Sequence, residues 1–302
     1  MATLQDKLTR GRFVLTAEVT PPVSADRNDL LAKARPLKGL ADAVNVTDGA
    51  GARAHLSALT AATLLNEAGL EPILQLTCRD RNRIALQSDL LGAAAVGIRN
   101  LLVLRGDDPS AGDQPGAKPV FDLDPRQLLA TARGMRDASE LPAGRKIGGK
   151  PEFFLGCADN PIDPPSGWEP NGLAAKIEVG AQFVQTQFCM DAQVVRRYLA
   201  ALEVCGLGGK VFFIVGVAPL RSPQSARWMK EKLFGTIIPD AFVTRMEEAN
   251  DPVAEGRRIC IETIAALAEI PQVAGCHIMA PNNDAVVPAV IEEARKGIKR
   301  LA

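Results

Sequence analysis

The sequence predicts an α/β protein built as a single (β/α)8 barrel. Short apolar or β-branched runs alternate with longer amphipathic stretches along the whole chain, and eight such runs occur in 302 residues. This alternation is typical of repeated βα units around a parallel sheet. The number of repeats and the chain length match a (β/α)8 barrel. No linker divides the chain, so we expect residues 1–302 to form one barrel domain.

The eight predicted strands have β-branched or apolar cores and end near turn residues. They are, in chain order, 13–19, 42–48, 71–78, 100–106, 152–157, 182–188, 210–217 and 273–281. Amphipathic segments between them predict helices, and several of these close on a glycine that can end a helix. The clearest are 26–40, 55–69, 82–97 and 125–138.

Three stretches depart from the simple repeat. Loops rich in Gly, Pro and Asp follow the fourth and fifth strands at 107–124 and 158–172, and loops of this length often have a binding function. The stretch from Arg221 to Leu267 is longer than one βα unit needs. We therefore expect extra helices between the seventh and eighth strands, one of them at 237–249. A doubly wound sheet is less consistent with the sequence, because no G-x-G-x-x-G loop follows the first strand.

Composition excludes several classes of function. Lys and Arg together number 35, as do Asp and Glu, so the formal net charge is zero, unlike that of most proteins that bind nucleic acid or anionic membranes. Aromatic residues make up only 4%, too few for a stacking surface for single-stranded nucleic acid. No apolar run is long enough to span a bilayer, and the first residues do not resemble a secretory signal. The sequence therefore favours the cytosol.

The cysteines indicate neither a metal centre nor a disulfide framework. All six are scattered without a C-x-x-C pair, and only His55 and His277 could join them as ligands. A lone histidine near a strand end more often has a structural role, so we base no mechanism on either one.

Polar side chains cluster where the predicted strands end. In a barrel the carboxyl ends of the strands meet at the mouth, so these side chains are candidates for the site. They are Glu18, Thr47, Asp48, Gln75, Thr77, Arg105, Asp107, Asp159, Asn160, Gln185 and Gln187.

Glu18 is the candidate for acid–base chemistry. It lies in LTAEVTPP between apolar or small residues, and two prolines stop the strand. A carboxyl group in a partly apolar site has its pKa raised, which suits a general acid near neutral pH. The alternative is a solvated carboxylate or an ion pair with an arginine.

Three further residues are candidates for binding. Asp107 closes LVLRGD, where Gly106 lets the backbone approach a ligand, although an aspartate here also suits a turn. Gln187 lies in FVQTQF, and its amide could read the edge of a heterocycle or be satisfied inside the barrel. Lys176 could contact a phosphate or carboxylate at the rim, although a surface lysine on a helix is the common case.

In their order along the chain, several segments resemble the methylenetetrahydrofolate reductase family. These are TAEVTPP, VNVTDGAGAR, LQLTCRDRNR, LLVLRGD, AKIEVGAQFVQTQF and CHIMAP, and the likeness runs from Phe13 to about Arg295. The resemblance implies a catalytic barrel of the compact bacterial kind. Such a barrel reduces 5,10-methylenetetrahydrofolate to 5-methyltetrahydrofolate, with electrons from NADH or NADPH relayed through FAD or FMN.

The resemblance also implies roles for single residues. Glu18 matches the proposed general acid, Asp107 the aspartate that contacts the pterin, and Gln187 the glutamine that hydrogen-bonds the folate. Positions that the family uses around the flavin are occupied by Thr47, Leu104, Arg105, Gly106 and Lys176. The implied partner is a small-molecule folate, and a homo-oligomer is compatible with the family.

Some positions depart from the pattern of flavin-binding members. Gln75, Cys157 and Ala175 stand where those members carry a histidine, a tyrosine and an arginine, and loss of the charged groups weakens the hold on a flavin diphosphate. Asp48 and Asn283 replace aromatic or basic groups. Two possibilities therefore stay open: FAD or FMN bound in a different way, and direct hydride transfer from NADH to the folate without flavin. A methyltetrahydrofolate-binding methyltransferase-type barrel is a separate alternative, because such barrels also place acidic and amide groups at strand ends.

Overall fold

The computed structural model describes residues 2–298 and Arg300, and its eight strands form a closed parallel barrel. The strands are β1 (Val14–Val19), β2 (Ala43–Val46), β3 (Pro72–Thr77), β4 (Asn100–Leu104), β5 (Phe154–Asp159), β6 (Phe183–Phe188), β7 (Phe212–Val217) and β8 (Val273–Ile278). Each strand pairs with the next in parallel, and β8 pairs with β1 to close the barrel. The predicted fold class is confirmed. Strand β5 ends two residues later than predicted, so Asp159 belongs to the strand.

Helices surround the barrel. Those described are α1 (Leu4–Thr9), α2 (Arg27–Ala34), α3 (Ala58–Glu67), α4 (Arg83–Ala95), α5 (Pro125–Ala138), α6 (Asn171–Glu178), α7 (Ala192–Val204), α8 (Pro223–Lys232), α9 (Asp240–Glu248), α10 (Pro252–Ala268) and α11 (Val287–Gly297). The predicted extra helices between β7 and β8 are confirmed as α8 and α9, which precede the long α10. Among the described helices, none combines the length and the apolar character needed to cross a bilayer.

Side-chain caps explain where most of these helices begin. A Ser, Thr, Asp or Asn just before the helix accepts a hydrogen bond from a backbone N–H of the first turn, which has no partner within the helix. The capping residues are Thr3, Asp26, Ser57, Asn82, Asp124, Asp191, Ser222 and Asp251.

Helix α1 covers the amino end of the barrel, and the sequence analysis did not predict it. Leu4 is 0% exposed and Leu8 is 2% exposed. Both pack into a cluster of inward-facing strand residues that includes Val14, Phe154 and Phe183. A helix of six residues is too short to show a clear period, and its stability depends on this burial rather than on its own propensity.

The barrel interior changes from apolar to polar along the strands. Alternate residues of each strand face inward, so β1 contributes Val14, then Thr16, then Glu18. The outward-facing residues, such as Leu15 and Ala17, pack against the helices in the main core. The inward-facing side chains of β1 therefore become polar toward its carboxyl end, which is where the sequence places the candidate site.

Candidate active site

Glu18 lies on β1 near the mouth of the barrel, and polar side chains surround it. Its Oε2 accepts a hydrogen bond of 3.1 Å from Nε2 of Gln75 on β3 and lies 3.6 Å from Nε2 of His277 on β8. The side chain of Glu18 is 23% exposed. Polar groups therefore approach this carboxyl group from two strands, while the cavity that it borders is lined mainly by apolar residues.

A buried layer of polar side chains lies below Glu18. Asn45 and Gln185 exchange two amide hydrogen bonds of 2.6 and 3.1 Å across the barrel. Nε2 of Gln185 also donates to Oγ1 of Thr16 at 3.3 Å, and that oxygen lies 2.9 Å from Nδ1 of His277. These four side chains are all 3% exposed or less. A buried network with its partners in place is rigid and fixes the floor of the site.

Two buried polar atoms on the strands that flank β1 have no hydrogen-bond partner among the described residues. They are Oγ1 of Thr47, which follows β2, and Nε2 of His277 on β8. The strands β2 and β8 are the two neighbours of β1 in the barrel. Buried polar atoms are nearly always paired, and Nε2 of His277 lies 3.6 Å from the carboxyl group of Glu18.

A β-bulge positions Gln187 on β6. Pairing with β7 shifts between Gln185 and Phe188, so β6 has one extra residue there. The hydroxyl of Thr186 accepts from N–H of Gly216 at 2.9 Å and donates to the carbonyl of Gln187 at 2.7 Å, which satisfies groups that the bulge leaves unpaired. A bulge changes the direction of a side chain at a strand end. Gln187 is accordingly half-buried at the rim, not enclosed like Gln185.

The amide of Gln187 presents a donor rather than an acceptor. Its Oε1 accepts a hydrogen bond of 3.0 Å from the backbone N–H of Phe188. Its Nε2 forms no hydrogen bond with the described residues, so this NH2 group can meet a ligand.

Asp107 lies at the rim in a group of packed loops. Its Oδ2 accepts a hydrogen bond of 3.0 Å from the backbone N–H of Gly51 in the loop after β2. The buried guanidinium of Arg79 donates to the carbonyls of Gly49 and Asp107 and so joins the loops after β2, β3 and β4. Asp48 has a structural role here, because its carboxylate accepts from the N–H and the hydroxyl of Thr77 and pairs with Arg81.

The residues that the resemblance assigns to a flavin do not form one cradle. Leu104, Arg105 and Lys176 line a cavity of about 210 Å³ beside β4 and β5, below the roughly 300 to 1,000 Å³ of a typical cofactor pocket. Thr47 is not among the residues that line this cavity. Gly106 packs against the protein itself, because an added Cβ would lie 2.8 Å from Cβ of Arg79.

The charges in that cavity also fit a flavin diphosphate poorly. Nζ of Lys176 donates to the carbonyl of Ala158 at 2.7 Å, and the guanidinium of Arg105 stacks 4.6 Å from the ring of Phe121. Asp159 lines the same cavity and accepts a hydrogen bond from the hydroxyl of Tyr198. Burial raises the pKa of Asp159. Lys176 thus already donates to a backbone carbonyl, the stacked guanidinium of Arg105 keeps its N–H donors, and a carboxyl group shares their cavity.

Two of the positions that depart from the pattern of flavin-binding members have other contacts here. Gln75 contacts Glu18, and the buried Cys157 faces the core between sheet and helices rather than the mouth.

A second cavity, of about 390 Å³, extends from Glu18 between α2 and α11. Its lining is mainly apolar and includes Lys33 and Asp284, whose charged groups lie 3.8 Å apart. Burial raises the pKa of Asp284.

The sequence analysis missed His277 as a residue of the site. Alternation along β8 carried a signal, because the apolar Cys276 and Ile278 pack into the main core and leave His277 on the inward-facing side. The pairing of β8 with β1 brings the residue beside Glu18, and that contact spans most of the chain.

Comparison with known proteins agrees with the resemblance noted in the sequence. A family model described as "Methylenetetrahydrofolate reductase" matches residues 3–295. A Caenorhabditis elegans protein named "Probable methylenetetrahydrofolate reductase (NADPH)" is 25% identical over 244 residues, which cover 78% of this chain and 34% of that protein. The Schizosaccharomyces pombe protein "Methylenetetrahydrofolate reductase 1" is 24% identical over 265 residues, covering 82% of this chain and 40% of that protein. The chain thus spans between a third and two fifths of the length of these curated relatives.

A solved structure shares the fold over nearly the whole chain. It is a Clostridium thermocellum protein described as binding two copies of 5-methyl-5,6,7,8-tetrahydrofolic acid. The TM-score is 0.68 at 13% identity, with 97% of this chain and 98% of the other covered. At this identity the likeness concerns the fold alone.

Proposed function

This chain belongs to the methylenetetrahydrofolate reductase family, and from that premise we propose that it reduces 5,10-methylenetetrahydrofolate to 5-methyltetrahydrofolate with NADH or NADPH as electron donor. The observation that carries the proposal is the carboxyl group of Glu18 at the barrel mouth, which accepts a hydrogen bond from Gln75 and lies 3.6 Å from Nε2 of His277. The described binding of 5-methyltetrahydrofolate by a barrel of the same fold supports a folate ligand.

Glu18 has the role of general acid in this proposal. The methylene carbon of the substrate bridges N5 and N10. A proton from Glu18 to N10 allows the bond between that carbon and N10 to break, which leaves an iminium ion on N5. Hydride addition to the methylene carbon then gives the N5-methyl group, and the nicotinamide becomes oxidised. One proton and one hydride are consumed per turnover.

The other site residues orient the pterin. The free NH2 group of Gln187 offers a polar contact to its edge. Asp107 keeps one oxygen on the loop N–H of Gly51, and its second oxygen forms no hydrogen bond with the described residues. Contacts of these two groups with the pterin place the methylene carbon for attack, which is the main contribution of such contacts to rate.

Because the residues assigned to a flavin do not form one cradle, we propose that the nicotinamide ring passes its hydride directly to the methylene carbon. The hydrogen bond of Lys176 to the carbonyl of Ala158 and the carboxyl group of Asp159 in the same cavity support this choice. Lys176 and Arg105 then stabilise the loops around the mouth rather than a flavin.

The test is an absorption spectrum of the purified protein together with an assay of NADH and NADPH oxidation. We expect no flavin band, and oxidation that requires methylenetetrahydrofolate and does not change when FAD or FMN is added. A flavin band with flavin-dependent turnover would overturn direct transfer and leave the reductase activity in place. Failure to oxidise either nucleotide in the presence of the folate would overturn the reductase, and methyl transfer without a nucleotide would identify a methyltransferase instead.

A further inference from the structure

We propose that His277 is a positioning residue that keeps the acidic proton of Glu18 on Oε1. The inference rests on the proposed function, because it assigns a role to the neighbour of the general acid. It starts from the position of the ring, which is 2% exposed and lies between Thr16 and Glu18.

The hydrogen bonds of the buried layer determine which nitrogen of His277 carries the proton. The hydroxyl oxygen of Thr16 accepts from Nε2 of Gln185. Thr16 is 0% exposed, and its own hydroxyl hydrogen has only one acceptor within reach among the described residues, which is Nδ1 of His277 at 2.9 Å. A buried hydroxyl that does not donate loses free energy, so Nδ1 is the acceptor. The neutral ring then carries its proton on Nε2.

The amide pair below Thr16 belongs to the same chain of hydrogen bonds. Asn45 and Gln185 bond to each other through both oxygens and both nitrogens, so the two amides hold one orientation relative to each other. Gln185 is left with one N–H, and this group points at Thr16 as a donor. The order of donors therefore runs from Gln185 through Thr16 to His277, and from His277 toward Glu18.

Two donors consequently meet one oxygen of Glu18. Nε2 of Gln75 donates to Oε2 at 3.1 Å, and the N–H on Nε2 of His277 faces the same oxygen at 3.6 Å. The second distance is long for a hydrogen bond, but such contacts often shorten when the substrate binds. An oxygen that accepts two donors has no room for a proton of its own, so a protonated Glu18 carries its proton on Oε1. Oε1 forms no hydrogen bond with the described residues and is the oxygen left for the substrate.

Two substitutions of His277 test whether the N–H donor that faces Glu18 is required, or whether any polar side chain at this position is enough. In His277→Gln the longer amide reaches the place of Nε2 and can donate to Glu18, whereas in His277→Asn the shorter amide reaches only Thr16. We expect His277→Asn to lower kcat by up to about 100-fold with little change in the KM for the folate, as a misplaced catalytic group does. His277→Gln should recover most of the lost kcat. His55 lies outside the site and is the other histidine of the chain, so His55→Gln is the matched control.

A second measurement does not depend on turnover. In the His55→Gln variant the only imidazole belongs to His277, and long-range proton–nitrogen NMR then reports its tautomer directly. We expect the form with the proton on Nε2, and we expect its Nε2 signal to move in the His55→Gln, Glu18→Gln double variant. Circular dichroism of every variant shows whether the barrel is folded.

The outcomes are separable. A proton on Nδ1, or a folded His277→Asn variant with the kcat of the unsubstituted protein, would overturn the role of His277. An equal loss in His277→Gln and His277→Asn would also overturn it, because the donor would then not matter. If no folate-dependent oxidation of NADH or NADPH occurs, the proposed function fails, and the NMR measurement still decides the tautomer.

Discussion

Gly216 on β7 lies directly against the bulge of β6 that carries Gln187. A Cβ added at Gly216 would lie 2.5 Å from the carbonyl oxygen of Thr186 and 2.8 Å from that of Gln187. Real side chains do not approach backbone oxygens so closely, so the bulge exists only because residue 216 has no side chain. The direction of the Gln187 amide thus depends on a residue of the neighbouring strand.

This contact predicts the effect of Gly216→Ala. The methyl group pushes the bulge away and turns Gln187 from the ligand, so we expect the KM for the folate to rise about tenfold, the cost of roughly one hydrogen bond to a ligand. Steady-state kinetics measure the change. Gly148→Ala is the control, because an added Cβ there meets no atom within 4 Å. An unchanged KM in a folded Gly216→Ala variant would show that Gln187 does not bind the folate.

Removal of the acid at Glu18 should affect chemistry more than binding. In Glu18→Gln the amide keeps the shape of the side chain but cannot supply the proton to N10. We expect kcat to fall by about 100- to 10,000-fold, the usual contribution of a general acid, while the folate still binds. Calorimetric titration with the folate and turnover assays separate the two effects. Glu67→Gln on α3, an exposed residue paired with Arg27, serves as the control, and full activity in Glu18→Gln would remove Glu18 from the mechanism.

The buried carboxyl group of Asp159 should make the stability of the folded protein depend on pH. Burial raises the pKa of this carboxyl group in the folded protein above its unfolded value. Its contribution to stability is therefore complete below the unfolded pKa and is lost as the pH rises through the folded pKa. In Asp159→Asn this loss is absent, so we expect the Tm of the variant relative to the unsubstituted protein to increase between about pH 4 and pH 7.

Asp163 provides a control of opposite sign. Its hydrogen bonds to Arg197 lower the pKa of this exposed carboxyl group. The stability it contributes is present above the unfolded pKa and is lost as the pH falls through the folded pKa. The Tm of Asp163→Asn should thus approach that of the unsubstituted protein on acidification. Parallel thermal melts test both variants, above about pH 4 for Asp159→Asn and below it for Asp163→Asn, and a constant difference for Asp159→Asn would contradict the raised pKa.

The helix at the amino end should contribute to stability and not to catalysis. Leu8→Ala empties a buried position among the inward-facing residues of the barrel floor, so we expect the free energy of unfolding to fall by about 2 to 5 kcal/mol. The kinetic constants should not change, because the site lies at the opposite end of the strands. Denaturant unfolding measures the effect, with Leu91→Ala on the more exposed face of α4 as the control. A loss no greater than that of Leu91→Ala would show that α1 does not stabilise the barrel.

The fold class, the order of the strands and most of the candidate residues at the mouth could be predicted from the amino-acid sequence. Its alternation of short apolar runs and amphipathic stretches is a local property, because side chains repeat every second residue in a strand and about every 3.6 residues in a helix. Glu18, Asp107 and Gln187 could be predicted as site residues for the same reason, because each stands at the end of a strand that neighbouring residues in the chain predict. Helix α1 is the exception, since six residues are too few to show a period.

The contacts that those residues make depend on the tertiary structure. Closure of the barrel brings His277 of β8 within 3.6 Å of Glu18 of β1, a contact that no local pattern contains. The bulge at Gln187 depends on Gly216 in the next strand, and the engagement of Lys176 by the carbonyl of Ala158 depends on how α6 packs beside β5. Contacts of this kind join groups far apart in sequence, and a shift of a few tenths of an ångström between two elements is enough to form or break a hydrogen bond. Local periodicity fixes which way a side chain faces, whereas the packing of distant strands fixes what it meets.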